Sequence, residues 1–294
     1  DAPRYSTGYT TLFNTLGMMV ETHMLKPYKQ RVEGTYELMK SMIEITEKQG
    51  DKITKLRKNA TKNFQSQKTY TLDWKVDTTK TSTLNFKGFE AEKITSDVTG
   101  KNRLKYNRNK PFTKEINYYN HFVVTKEIEI PKAYILQQGW HRVIERLENN
   151  HIEFTRFKKD TIIEVEVNHI DKYETRKMPY EGHYLHYNTT VKKSTANIKF
   201  KKGDVFIPTH QNGVRYLLET LEAEATDSFF NWNFFDTVLQ QKEGYSPYVF
   251  EDIAEKLLTE NTALKTTFEE KLKDDITFAN NPRAQLEFIY KNSP

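Results

Sequence analysis

Glu21 is the residue in this 294-residue chain whose setting most suggests chemistry. It closes the apolar run Gly17-Met18-Met19-Val20, which has strand character, and Thr22-His23-Met24-Leu25 and the break Lys26-Pro27 follow. A carboxylate at the end of a buried strand is costly to desolvate, so it is usually kept for a reason. In open α/β sheets, ligands and catalytic groups gather beyond the carboxyl ends of strands. His23 lies two residues on and shares the face of Glu21 in a strand. There it can orient the carboxylate by a hydrogen bond or touch a substrate. Just upstream, Pro3-Arg4-Tyr5-Ser6-Thr7-Gly8-Tyr9 reads as an aromatic, glycine-containing loop that offers two phenols and a guanidinium. Spacing alone assigns no role here, since acidic residues that end strands are more often structural.

These two segments, 3–9 and 17–28, together resemble the last catalytic strand of the M14 zinc carboxypeptidases, in particular the large exported bacterial members with C-terminal extensions. The resemblance implies that Glu21 is the general base, and that a tyrosine of the preceding mobile loop, Tyr5 or Tyr9, contacts substrate. Arg4 becomes a candidate for binding a substrate carboxylate, and His23 for contacting substrate or orienting Glu21. It also implies a peptide substrate, zinc as cofactor of the complete protein, and a periplasmic or extracellular location. The family holds zinc with a His-x-x-Glu pair and a distant second His. No His-x-x-Glu and no His-Glu-x-x-His occurs in this sequence, so those ligands are expected upstream of residue 1. The expected partner is then the missing N-terminal part of the catalytic domain, and the chain alone is expected to bind no catalytic zinc and to be inactive. The opening Asp1-Ala2-Pro3 fits a chain cut from something longer. Weaker likenesses to the C-terminal extensions of the same family lie at 130–134, 227–236 and 245–253.

Other clusters compete for attention. Glu181, His183 and His186 form the one metal-like grouping inside the chain, but His186 points away from the other two in a regular strand; polar residues of a β-turn are the plainer reading. The aromatic run 227–236 could be a sugar- or peptide-binding patch. Its density is better explained by a core that joins helices to the β-rich zone, because such rings bury so much area.

Composition bounds the remaining classes. There are 45 basic and 40 acidic residues, a formal charge of +5, and Lys and Glu interleave. That describes a mixed solvated surface, and no basic block or RNA-binding signature points to nucleic acid. Zero cysteine excludes disulfides, a thiol nucleophile and Cys-ligated metal. No stretch approaches the roughly twenty apolar residues that span a bilayer.

Three zones must position these residues, and the expected fold class is α+β. Residues 1–66 read as the C-terminal end of an α/β carboxypeptidase-like domain, a strand ending near Glu21 and then a helix from about Tyr28 to Thr46. A more polar helical stretch follows, either part of that domain or a linker. Residues 67–208 read as a β-rich, largely antiparallel accessory domain. One helix near Trp140–Leu147 interrupts it, which suggests a βαβ-like insertion with a parallel pair. Residues 209–294 read as a helical tail that packs on the accessory domain, with helices opened by Ser246-Pro247 and Asn281-Pro282. The alternative from a different class is a non-enzymatic β-rich binding or scaffolding module whose first sixty residues are a docking strand and helix.

Overall fold

The computed structural model of the chain describes residues 2–240 and 244–293. It is 37% helical and 31% strand, with antiparallel sheets and no barrel, which agrees with a mixed α and β class. The chain divides into two compact units, Asp1–Asp236 and Thr237–Pro294.

The core of the first unit forms around α4 (Val214–Leu221). Val214, Leu217, Leu218 and Leu221 recur at helical spacing, and all but the last are fully buried. One side of α4 meets α1 (Ser6–Leu12), α3 (His141–Asn149) and the strands β5 (Ala133–Leu136) and β9 (Val205–Pro208), with Leu12, Val143, Leu147, Val205, Ile207 and Phe229 in contact. The other side packs on β1 (Thr69–Val76) and β4 (Phe122–Glu129) through Tyr70, Leu72 and Ile128. The aromatic run is core, as its density suggests. Phe234 and Phe235 are half-buried against the first cluster, and Trp140 meets Phe235 edge-on at 4.8 Å.

The strands form three two-stranded ribbons and one three-stranded sheet. β1 pairs with β4, and β2 (Ser82–Thr95) with β3 (Asn102–Tyr118). β7 (Thr161–Thr175) pairs with β8 (His186–Phe200). β5 and β6 (Thr155–Arg156) both pair antiparallel with β9, in the order β5-β9-β6. β5 and β6 thus run parallel across the α3 crossover, but β9 lies between them. The expected adjacent parallel pair is absent, because a strand about fifty residues downstream takes the place between β5 and β6.

Three expectations need correction. Residues 3–9 are not a loop, since α1 begins at Ser6 with Tyr5 at its N-cap position. Residues 15–23 form no strand; they run irregular and exposed, because no strand among the described residues lies beside them to take their backbone hydrogen bonds. From residue 209 on the described elements are all helical, but α4 and the aromatic run fall in the first compact unit and the second begins at Thr237. The helix expected from Tyr28 runs unbroken to Ser66 as α2, so its polar second half is no separate linker.

The second unit contains α5 (Pro247–Glu260), α6 (Thr262–Asp274), α7 (Ile276–Ala279) and α8 (Pro282–Lys291). Asn261, Asp275 and Asn281 cap three of them by accepting from backbone N–H groups. Phe250, Ala254, Leu264 and Ile289 close its own small core. No helix among the described residues is long and apolar enough to cross a membrane.

Candidate functional site

Arg4 is held rather than offered to a ligand. Its backbone N–H donates to Asp227 Oδ2 at 2.9 Å, and its guanidinium meets Asp227 Oδ1 at 2.6 Å. Trp232 Nε1 donates to the same Oδ1 at 3.0 Å. The guanidinium carbon lies 5.4 Å from the Trp232 ring centre and 5.6 Å from that of Tyr180, within cation–π range. Asp227 is buried, so this pairing fixes the start of the chain against the aromatic run. Arg4 is therefore a structural clasp, a correction to its expected role at a substrate carboxylate.

The two tyrosines differ in freedom. Tyr9 donates through its phenol to Asn150 Oδ1 at 2.5 Å and tilts against Phe13 at 5.4 Å. Tyr5 is half exposed, and its phenol makes no hydrogen bond among the described residues.

Beyond α1 the chain is clamped once more before it is released. Arg57 of α2 donates from Nε to the Asn14 carbonyl at 3.0 Å and from Nη2 to Thr15 Oγ1 at 2.9 Å. Gly17 then passes so close to Thr10 that any Cβ at this position would collide with the Thr10 hydroxyl. From there the segment is bare: Met18, Met19, Met24 and Leu25 are each more than half exposed. Glu21 is exposed, with no ion pair or hydrogen bond among the described residues. His23 does not orient it, because its Nδ1 accepts from the Leu25 N–H at 3.1 Å and so closes a local turn. α2 behind it has no buried residue in 39, and Val32, Tyr36, Met39 and Ile43 stand on one uncovered face with Met42 and Ile45 beside them.

The Glu181, His183 and His186 grouping does not converge. Glu181 sits in a left-handed turn with φ of 48°, and the His183 ring stacks near Phe234 at 6.2 Å. His186 is buried, with Nδ1 2.9 Å from Thr175 Oγ1 and Nε2 3.1 Å from Asp236 Oδ1. Among the described residues, no group of three or more His, Cys, Asp or Glu side chains is placed to hold a metal ion.

Two buried acid–phenol pairs escaped sequence reasoning. Tyr70 donates to Glu219 Oε1 at 2.7 Å, and Tyr134 to Glu222 Oε1 at 2.5 Å. Burial pushes both carboxyls above the usual range and both phenols above theirs. A cavity of about 270 Å³ lies beside the first pair, lined by Asp73, Trp74, Arg215, Glu219 and the start of the chain. The partners are 149 and 88 residues apart, so only the fold unites them. The one local signal was Glu219 and Glu222 at i and i+3 along the apolar α4 stripe.

The chain matches no protein-family profile, no curated protein and no solved structure.

Proposed function

We propose that this chain is the C-terminal part of an exported, zinc-dependent metallocarboxypeptidase-like hydrolase, and that it contributes Glu21 as the general base of peptide-bond hydrolysis. One observation carries the reading. An exposed, irregular segment with the composition of a strand ends on a carboxylate and is followed by a helix with an uncovered apolar face, and neither the segment nor that face is covered by another element among the described residues. Exposed apolar surface of that kind marks an interface. A segment able to pair as a strand, trailed by a helix able to cover a sheet, is what the edge of an incomplete α/β domain would present.

Glu21 needs no rearrangement of neighbours to act, because no cation or donor holds its carboxylate. As general base it takes a proton from the attacking water and returns it to the departing amine, while the amide C–N bond breaks. Tyr5, with its free phenol, is the tyrosine we assign to substrate contact; Tyr9 is engaged by Asn150. The zinc ligands are assigned to the polypeptide that covers 16–25 and α2. The second reading, a non-enzymatic β-rich module, draws on the share of the first unit that is ribbon and core without a catalytic cluster.

Reconstitution separates the two. The chain is mixed, or expressed in tandem, with a polypeptide that carries His-x-x-Glu and a distant His, and zinc is added. Release of C-terminal residues from a peptide, together with slowed amide exchange over 17–23 and α2, is the expected result. Slowed exchange nowhere in those segments, with no turnover, refutes the proposal.

A further inference from the structure

Among the described residues, the β2–β3 ribbon touches no other helix or strand. A lone two-stranded ribbon is marginally stable in water, and a third strand or a covering surface is what makes a sheet hold. Both outer edges present unpaired backbone donors and acceptors that a further strand can satisfy, although β3 is interrupted: residues 107–110 bulge out of the ladder and Pro111 has no N–H to donate. The two edges differ in charge. β3 carries Arg103, Lys105, Arg108, Lys110 and Lys114 against Glu115 alone, whereas β2 balances Lys87 and Lys93 with Glu90 and Glu92. Among the described residues, no carboxylate pairs with any of the five β3 cations. The β7–β8 ribbon is different, because Lys193 meets Glu166 at 2.8 Å and Lys192 meets Asp171 at 2.7 Å. Its charges are paired across the ribbon, whereas in β2–β3 only Lys105 stands opposite a carboxylate, Glu92, and among the described residues the two form no ion pair.

We infer that the free edge of β3, on either side of the bulge at 107–110, is a docking edge for an extended acidic polypeptide segment, which adds to the ribbon as a third strand. Backbone hydrogen bonds supply the attraction common to any added strand, and carboxylates placed beside the β3 cations select an acidic one. The same charges turn away a second copy, since two β3 edges would bring cation against cation. Leu84 opposite Ile116, and Phe86 at 6.3 Å from Phe112, give one face of the ribbon an apolar surface. A segment that alternates acidic and apolar residues suits both features. This inference does not depend on the peptidase reading.

The test uses the full chain and a short labelled peptide alternating glutamate with valine and threonine, followed by fluorescence anisotropy. Binding is expected, weakened at least about tenfold by raising sodium chloride to about 0.5 M. The R103E/K105E/K110E variant should bind about tenfold more weakly or worse, and R103Q/K105Q/K110Q should fall between it and wild type. K52E/K55E/K58E on α2, with the same change in net charge, should leave binding intact. Hydrogen exchange should slow at alternate amides of β3, which surface adhesion would not cause. Unchanged tryptophan emission and circular dichroism verify that each variant folds. Absence of binding, equal loss in both triple charge reversals, or equal binding of a lysine–valine peptide overturns the inference. So does a heparin fragment that binds as tightly while β3 amides stay unprotected, which would mean polyanion adhesion.

Discussion

Replacing Asp227 with Asn tests whether the Arg4 clasp supports the first unit. The side chains of Arg4 and Asp227 are 19% and 4% exposed, so the pair is largely, not wholly, withdrawn from water. Removing one partner of a fully buried pair costs about 3–5 kcal/mol. The residual exposure of Arg4, and its aromatic neighbours Trp232 and Tyr180, reduce this to about 2–3 kcal/mol. Asn keeps the shape but turns an amide N–H₂ toward a donor, either the Arg4 N–H or the guanidinium with the Trp232 N–H. The chain's three tryptophans, Trp74, Trp140 and Trp232, all lie in the first unit. Emission during urea unfolding therefore reports that unit without the second. A double-mutant cycle with Arg4→Met isolates the pair from the loss of each group alone. The expected coupling is about 1.5 kcal/mol or more. A coupling below about 0.5 kcal/mol would refute the clasp, and with it the argument that the aromatic run holds the start of the chain.

In the reconstituted, zinc-loaded enzyme, Glu21→Gln should lower kcat by about 10²–10⁴-fold with little change in KM, and Glu21→Asp should recover little; a variant that keeps more than about a tenth of wild-type kcat makes Glu21 a structural residue. Tyr36→Glu and Ile43→Glu, at exposed positions of α2, should leave chemical stability of the isolated chain within about 0.5 kcal/mol yet abolish docking of the catalytic partner by gel filtration. The Glu222 carboxyl is raised chiefly by burial, so its contribution to stability is fullest below the ordinary carboxylate value and declines as pH rises from there toward the raised one. Glu222→Gln should remove that decline, read as urea midpoints followed across the acid-to-neutral range, and an unchanged pH slope would contradict the burial argument.

Legibility followed the range of the interactions. Local signals were clear: the start of α2 after Pro27, α4 from its four apolar residues, and α5 and α8 from Ser246-Pro247 and Asn281-Pro282 all read directly from the sequence. The Val–Glu alternation of β7 likewise marked a ribbon with one half-buried face. What failed depended on partners far along the chain. β9 enters between β5 and β6, and nothing near residues 133–156 announces it. The run 17–22 has the composition of a strand, but strand is a relationship with a neighbour, and none is present beside it. Its pairing signal survives only as exposed methionines around Glu21. The role expected for Arg4 failed for a related reason, because Asp227, 223 residues away, claims its charge first.

That separation also sets how the first unit bears load. Arg4 and Asp227 bring the two ends of 223 residues of chain together, so a pull entering near residue 4 and leaving near residue 227 meets that buried ion pair first. Behind it, Leu12 and Phe229 share one core cluster, Tyr9 bonds Asn150, and Arg215 bonds the Thr11 carbonyl. The two ends therefore stay joined through the core after the pair parts. Only when those contacts go as well does slack of roughly 750 Å become available, at about 3.3–3.6 Å per residue. Under a pull the unit is a closed loop whose latch is backed by its own core.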